Sequence, residues 1–174
     1  MIIVFTGNGK GKTTAAIGQA VRALGRGKRV LVIQFIKNLE TGEHLFFKKI
    51  PAALKSKIKI IPAGKGFVKI LGDKLPFSEH KKAAQNALRL AKKEILSGKW
   101  GLVILDEINV ATSIKLIKEK DVLNVLPRKA LPVVILTGRG APKSFIKKAD
   151  LVTEMKEIKH PFNKGAKAQV GVEF

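Results

Sequence analysis

The stretch 5-FTGNGKGKTTAAIG-18 decides the fold. It follows an apolar run, 1-MIIVF-5, and leads into 13-TTAAIGQAVRALGRG-27, where Ala16, Ala20, Ala23 and Leu24 recur at helical spacing before Gly25 and Gly27. A buried strand, a glycine-rich turn and a helix in that order build an anion nest. Glycines let backbone N–H groups approach oxygen atoms closely, and the helix N-terminus adds its positive end. Lys12 then offers a point charge to phosphates, and Thr13 a hydroxyl to Mg²⁺. By the Walker A rule the loop is short. That rule asks for a glycine five residues before Gly11, a position held here by Thr6, and the first glycine is Gly7.

Working outward, 28-KRVLVIQFI-36 reads as a second buried strand, and a polar, irregular stretch through 37-KNLETGEH-44 follows. A short helix and a third strand at 56-SKIKIIP-62 come next, then a long loop over 63–77. Loops of that length in a compact domain are usually functional. From an N-cap at Ser78, the segment 79–98 is the strongest helix of the chain, with Ala84, Leu88, Ala91 and Ile95 on one face and Gly98 at its C-cap. The remainder reads as a strand 101-GLVILDE-107, a helical piece over roughly 111–126, a strand 131-LPVVILTGRG-140, and a final region of strand, turn around 163-NKG-165 and closing strand. Apolar strands alternating with helices imply α/β architecture: a mostly parallel sheet with helices on both faces, in one phosphate-loop (RecA-like) domain over 1–174. The glycine loop lies at the carboxyl end of the first strand, where such sheets bind ligands.

Composition narrows the function. The chain has 174 residues, 45% of them hydrophobic, which excludes a disordered protein. No apolar run approaches the roughly 18 residues of a membrane span. The start carries no signal-peptide pattern, so a cytoplasmic protein is expected. With no cysteine, thiol catalysis and zinc–thiolate sites are excluded. The formal charge is +21, from 34 Lys and Arg against 13 Asp and Glu, and it attracts polyanions. The lysines are spread along the chain and aromatic residues are few, so phosphorylated small molecules explain the charge as well as nucleic acid does.

Asp106 follows four apolar residues, as a Walker B carboxylate does, and can hold Mg²⁺ directly or through water. Glu107 either orients a water or is itself the metal ligand. Arg139, in a glycine turn, can reach phosphates. His44, His80 and His160 have no metal-like spacing, and His80 is expected on the exposed side of its helix. No nucleophile stands beside a base, so the attacking group can come from a second substrate.

Taken together, 6-TGNGKGKTTAAIG-18, 32-VIQFIKN-38 with 41-TGE-43, 102-LVILDEIN-109, 136-LTGRGAP-142 and 159-KHPFNKGAKAQVGVEF-174 resemble the ATP:corrinoid adenosyltransferases, over nearly the whole chain. The short phosphate loop belongs to that family's pattern. The resemblance implies that Co(I) of a reduced corrinoid attacks C5′ of ATP and the whole triphosphate leaves. It further implies ATP contacts from Gly7, Asn8, Gly9, Lys10, Gly11, Lys12, Thr13 and Thr14, with Lys12 and Arg139 catalytic, and Mg²⁺ on Thr13, Asp106 and Glu107. Corrinoid contact falls to Phe67 and to Lys69, which stands where the family has a tryptophan. Glu43 matches a family glutamate. A homodimer and a reductase supplying Co(I) are also implied. Longer members carry an N-terminal extension over the site, so here a more open site, or cover from a neighbouring subunit, is expected. Two rival readings remain: a nucleic-acid-stimulated ATPase, and a module that binds nucleotide and corrinoid without turnover.

Overall fold

The computed structural model describes all residues except 39, 67, 69–71, 128–131, 162–164, 166 and 173–174. The elements run β1 (Ile2–Thr6), α1 (Lys12–Gly25), β2 (Val30–Gln34), α2 (Gly42–Lys49), α3 (Ala52–Lys55), β3 (Ile58–Pro62), α4 (Phe77–Leu96), β4 (Leu102–Asp106), α5 (Ile108–Ser113), α6 (Glu119–Leu123), β5 (Val133–Thr137), α7 (Lys143–Lys148) and β6 (Leu151–Glu154). The six strands form one sheet in the order β3-β2-β4-β5-β1-β6. Every neighbouring pair is parallel.

The apolar runs follow from this topology. A central strand of a parallel sheet is covered on both sides, so it needs no polar alternation. β2 and β4 are buried at all five positions each. Their alternate residues serve two separate cores. On one face, Ala16, Ala20 and Leu24 of α1 and Phe47 of α2 pack on Ile3, Val30, Val32, Leu102, Ile104 and Ile135. On the other, α4 lays Ala84, Leu88, Ala91 and Ile95 over Leu31, Ile33, Val103 and Leu105, joined by Ile108 and Phe145. The small residues of α1 and α4 let these helices lie close to the sheet.

Several local expectations change. The helical piece at 111–126 is two helices, because the chain turns at Lys115, whose φ of 66° is left-handed. Leu116 N–H donates to Ala111 O at 2.9 Å, closing α5 with a Schellman-type turn. The strongest helix starts at Phe77, with Pro76 at the N-cap in place of Ser78. The stretch after β2 is helical from Gly42. The closing strand does not form among the described residues: 170–172 are turn. His80 is 2% exposed, not solvent-facing, and its Nε2 lies 3.0 Å from Asp73 Oδ2. The polar partner for that buried ring comes from the preceding loop. No helix among the described residues is long and apolar enough to cross a membrane.

Candidate nucleotide and metal site

The carboxyl ends of β1, β4, β5 and β2 converge on one site. The missing glycine of the loop is explained by Thr6, which stays within β1. Its hydroxyl accepts a hydrogen bond from Ala141 N at 3.2 Å, and so ties β1 to the turn after β5. The loop begins its reversal at Gly7 (φ 95°) and enters α1 at Gly11 (φ 109°). Between them Gly9 is wedged against the chain after β6: its N–H donates to Met155 O at 2.7 Å. Lys12 is buried, and its ammonium donates to Gly9 O at 2.5 Å, inside the curve of the loop. Burial lowers its pKa. Glu107 opposes that shift, and Arg139 adds to it. Asn8, Lys10 and Thr14 are exposed along the same loop.

Thr13 Oγ1 donates to Asp106 Oδ1 at 2.8 Å, joining residues 93 apart in the chain. Asp106 is fully buried, and Thr137 Oγ1 donates to the same oxygen at 2.7 Å. On Oδ2 it meets Gln34 Nε2 at 3.4 Å and the Lys37 ammonium at 3.5 Å. Lys37 also pairs with Glu43 at 3.5 Å, and Gln34 Nε2 reaches the same Glu43 oxygen at 3.3 Å. Burial acts against the charge on Lys37, yet the carboxylates of Asp106, Glu43 and Glu107 raise its pKa overall. Glu43 suffers the same burial, and its pKa is lowered by hydrogen bonds at Thr41 and its own backbone and by Lys37.

Glu107 sits at φ 61° as the N-cap of α5, with its N–H donating to Thr137 Oγ1 at 2.9 Å. Burial, and then the charge of Asp106, push its pKa up to about 7, against Lys37, Lys12 and Arg139. Gly138 beside it cannot carry a side chain: a Cβ would lie 3.0 Å from Val110 N and 3.1 Å from Glu107 Oε2, at a φ of 125°. Arg139 is exposed in this turn, and its charge is felt at Lys12 and at Glu107. Asn109 Nδ2 donates to Gly138 O at 3.1 Å and holds the turn in place.

Of the residues singled out in the sequence, Lys12, Thr13, Asp106 and Glu107 are therefore brought together, with Arg139 at the rim. Phe67 and Lys69 lie outside the described residues. Sequence reasoning missed Lys37, Gln34 and Thr137. The available signal was a glutamine closing the otherwise apolar run 30-VLVIQ-34, since a polar residue buried at a strand end implies a partner. Among the described residues, no three His, Cys, Asp or Glu side chains converge as a protein-only metal cage. The oxygens of Thr13 and Asp106 instead suit a hard cation that takes one or two protein ligands and completes its shell with phosphates and water. Gln34 Oε1, buried without a hydrogen-bond partner beside Asp106, is an acceptor for such a water.

The chain matches, over residues 1–174, the family described as ATP:corrinoid adenosyltransferase BtuR/CobO/CobP. It is 39% identical to the corrinoid adenosyltransferase of Pseudomonas aeruginosa, covering 100% of this chain and 83% of that one. The corrinoid adenosyltransferase of Sinorhizobium sp. is also 39% identical, over 100% and 80%. That of Escherichia coli K12 is 35% identical, over 100% and 85%. Among solved structures, the assembled ATPase EscN in complex with its central stalk EscO, from the enteropathogenic E. coli type III secretion system, covers 85% of this chain and 39% of its own. Its TM-score of 0.44 at 15% identity is too low to bear on the site.

Proposed function

This chain belongs to the ATP:corrinoid adenosyltransferase family, and from that premise we propose how its residues move the 5′-deoxyadenosyl group of ATP to the Co(I) of a reduced corrinoid. Co(I) supplies the electron pair for the new Co–C5′ bond, and the C5′–O bond breaks with its pair on the leaving triphosphate. No protein nucleophile is needed. The protein's task is to hold a polyanion whose charge rises at the bridging oxygen, in a site built for it beforehand.

The observation that carries this reading is the 2.8 Å contact of Thr13 with Asp106 beside a buried Lys12. The backbone of Gly7 to Thr14 cradles the triphosphate, and the Lys12 ammonium turns from Gly9 O to a phosphate oxygen. Arg139 reaches in from the rim. Thr13 and Asp106 would hold Mg²⁺, with Glu107 behind them, and the cation would supply charge neutralisation on the triphosphate. Thr137 and Gln34 fix the Asp106 carboxylate, while Lys37 balances Asp106 and Glu43 before any cation arrives. Phe67 and Lys69 are proposed on the corrinoid side. A reductant for Co(I), pairing of two copies and a cytoplasmic location complete the reading.

Lys12→Ala tests it. Loss of one preorganised positive contact lowers adenosyl transfer about 10²–10³-fold, with the melting temperature held as a folding control. Near-normal transfer by that variant would remove Lys12 from the mechanism. The nucleic-acid ATPase reading is not favoured by the family match. It predicts orthophosphate release stimulated by DNA or RNA.

A further inference from the structure

Beside the edge strand β3 lies a groove of about 420 Å³, within the range of about 300–1,000 Å³ that receives small ligands. Its upper end is Ala63 and Lys65, directly after β3. Its wall is a flank of α4, with Lys82, Ala83, Ala87 and Leu90. The floor is apolar, and the rim carries the two exposed lysines. Glu79 and Asn86 complete the lining. Among the described residues of the lining, Glu79 is the one opposing charge, and it lies one turn from Lys82, where the two can pair along the helix.

The groove is tied to the reaction centre through the backbone. Ala63 N–H and Gly64 N–H both donate to Gln34 O, at 2.9 and 3.1 Å, and Gln34 Nε2 is the group that meets Asp106 Oδ2. Gly66 N–H donates to Ile36 O at 2.8 Å. Gly64 packs so closely on that strand end that a Cβ would lie 2.1 Å from Ile36 O. The mouth of the groove is thus fixed one strand away from the carboxylate that serves the triphosphate. An apolar floor with a positive rim suits a flat aromatic group joined to a single anion.

A complete corrinoid carries such a group: a nucleotide tail in which a benzimidazole base follows a phosphodiester. The base must leave cobalt before Co(I) can attack C5′, so during the reaction the tail is free to bind elsewhere. Resting on the adenosyltransferase reading, we propose that this groove receives the nucleotide tail, with the phosphodiester at Lys65 and Lys82 and the base over Ala83, Ala87 and Leu90. The chain then prefers complete corrinoids to precursors that lack the tail.

The test compares chemically reduced cobalamin with reduced cobinamide, which has the same ring system and no nucleotide, in the wild type and two variants. The wild type has the lower KM for cobalamin. Lys65→Glu combined with Lys82→Glu raises the cobalamin KM about tenfold, as two exposed charge contacts turned repulsive would. The cobinamide KM and both kcat values stay unchanged. Ala83→Trp, which fills the groove without altering charge, gives the same selective pattern. An equal rise with both corrinoids, or no rise with either, overturns the proposal. A wild type that adenosylates neither corrinoid refutes the adenosyltransferase reading itself.

Discussion

Gly9→Ala separates the packing of the phosphate loop from its backbone conformation. Gly9 does not occupy a positive φ, so its glycine is not required by backbone sterics. Space is the reason: a Cβ would lie 2.7 Å from Lys156 O and 2.8 Å from Met155 O, both backbone atoms. Relief means moving the loop off the segment after β6 and breaking the 2.7 Å bond from Gly9 N–H to Met155 O. Overpacking costs about 1–3 kcal/mol, and the lost hydrogen bond about 0.5–1.5 kcal/mol. Alanine returns about 0.4–1 kcal/mol by restricting the unfolded chain. The net loss is about 0.5–4 kcal/mol, which at about 3 °C per kcal/mol for a domain of this size lowers Tm by roughly 1.5–12 °C. Gly11→Ala is the contrast. There the φ is 109°, and the nearest atom to a Cβ is the flexible Met155 Sδ at 3.5 Å. Conformational strain of about 1–2 kcal/mol, less the same unfolded-state gain, leaves a smaller loss. Thermal melts followed by circular dichroism read both variants. A Gly9→Ala protein that melts no lower than Gly11→Ala would refute the packing argument.

Three other perturbations follow from the site and its supports. Thr137→Val removes the donor to Asp106 and the acceptor for Glu107 N–H; it costs about 2–4 kcal/mol in denaturant titrations and slows adenosyl transfer. Glu107 has its pKa raised from 4.5 to about 7, so the folded state holds that proton more tightly than the unfolded one. Its contribution is fully present below pH 4.5 and is lost as pH rises through about 7, at up to about 1.4 kcal/mol per unit. In the metal-free protein, Glu107→Gln flattens that slope, and parallel slopes for the two proteins would contradict the shift. Lys115→Gly relieves a left-handed residue at φ 66° and stabilises by about 0.5–1 kcal/mol, measured by the denaturation midpoint.

The parts of this fold legible in the sequence are those where one physical demand dominates. The strands β2, β4 and β5 must be apolar up to their last residue because both faces are covered. The loop after β1 must combine glycines with Lys12 and Thr13 to hold an anion. Asp106 closes an apolar run, and a carboxylate in that place stands out from the sequence alone. What escaped depended on contacts that exist only once the chain has folded, or on elements too short to show a period. Lys37 looks like any of the many lysines until β2 and β4 pair, when it comes within 3.5 Å of Asp106. His80 sits among Lys81 and Lys82 and reads as exposed, but Asp73 supplies the partner that lets it be buried. The helix α7 is only six residues, with a single buried Phe145 and too little periodicity to register; Pro142 before it was the only start signal. The closing segment has strand-like residues, Val170 and Val172, but both are exposed, and without a neighbouring strand apolar residues alone do not make one.

In the proposed reaction this loop grips a triphosphate as a leaving group, and that role is read from the phosphate product. It is tested most directly by mixing the protein anaerobically with Mg·ATP and chemically reduced corrinoid, and identifying the phosphate product. Inorganic triphosphate in equal amount to a light-sensitive adenosylated corrinoid is the expected result. Orthophosphate released without a Co–C bond would contradict it.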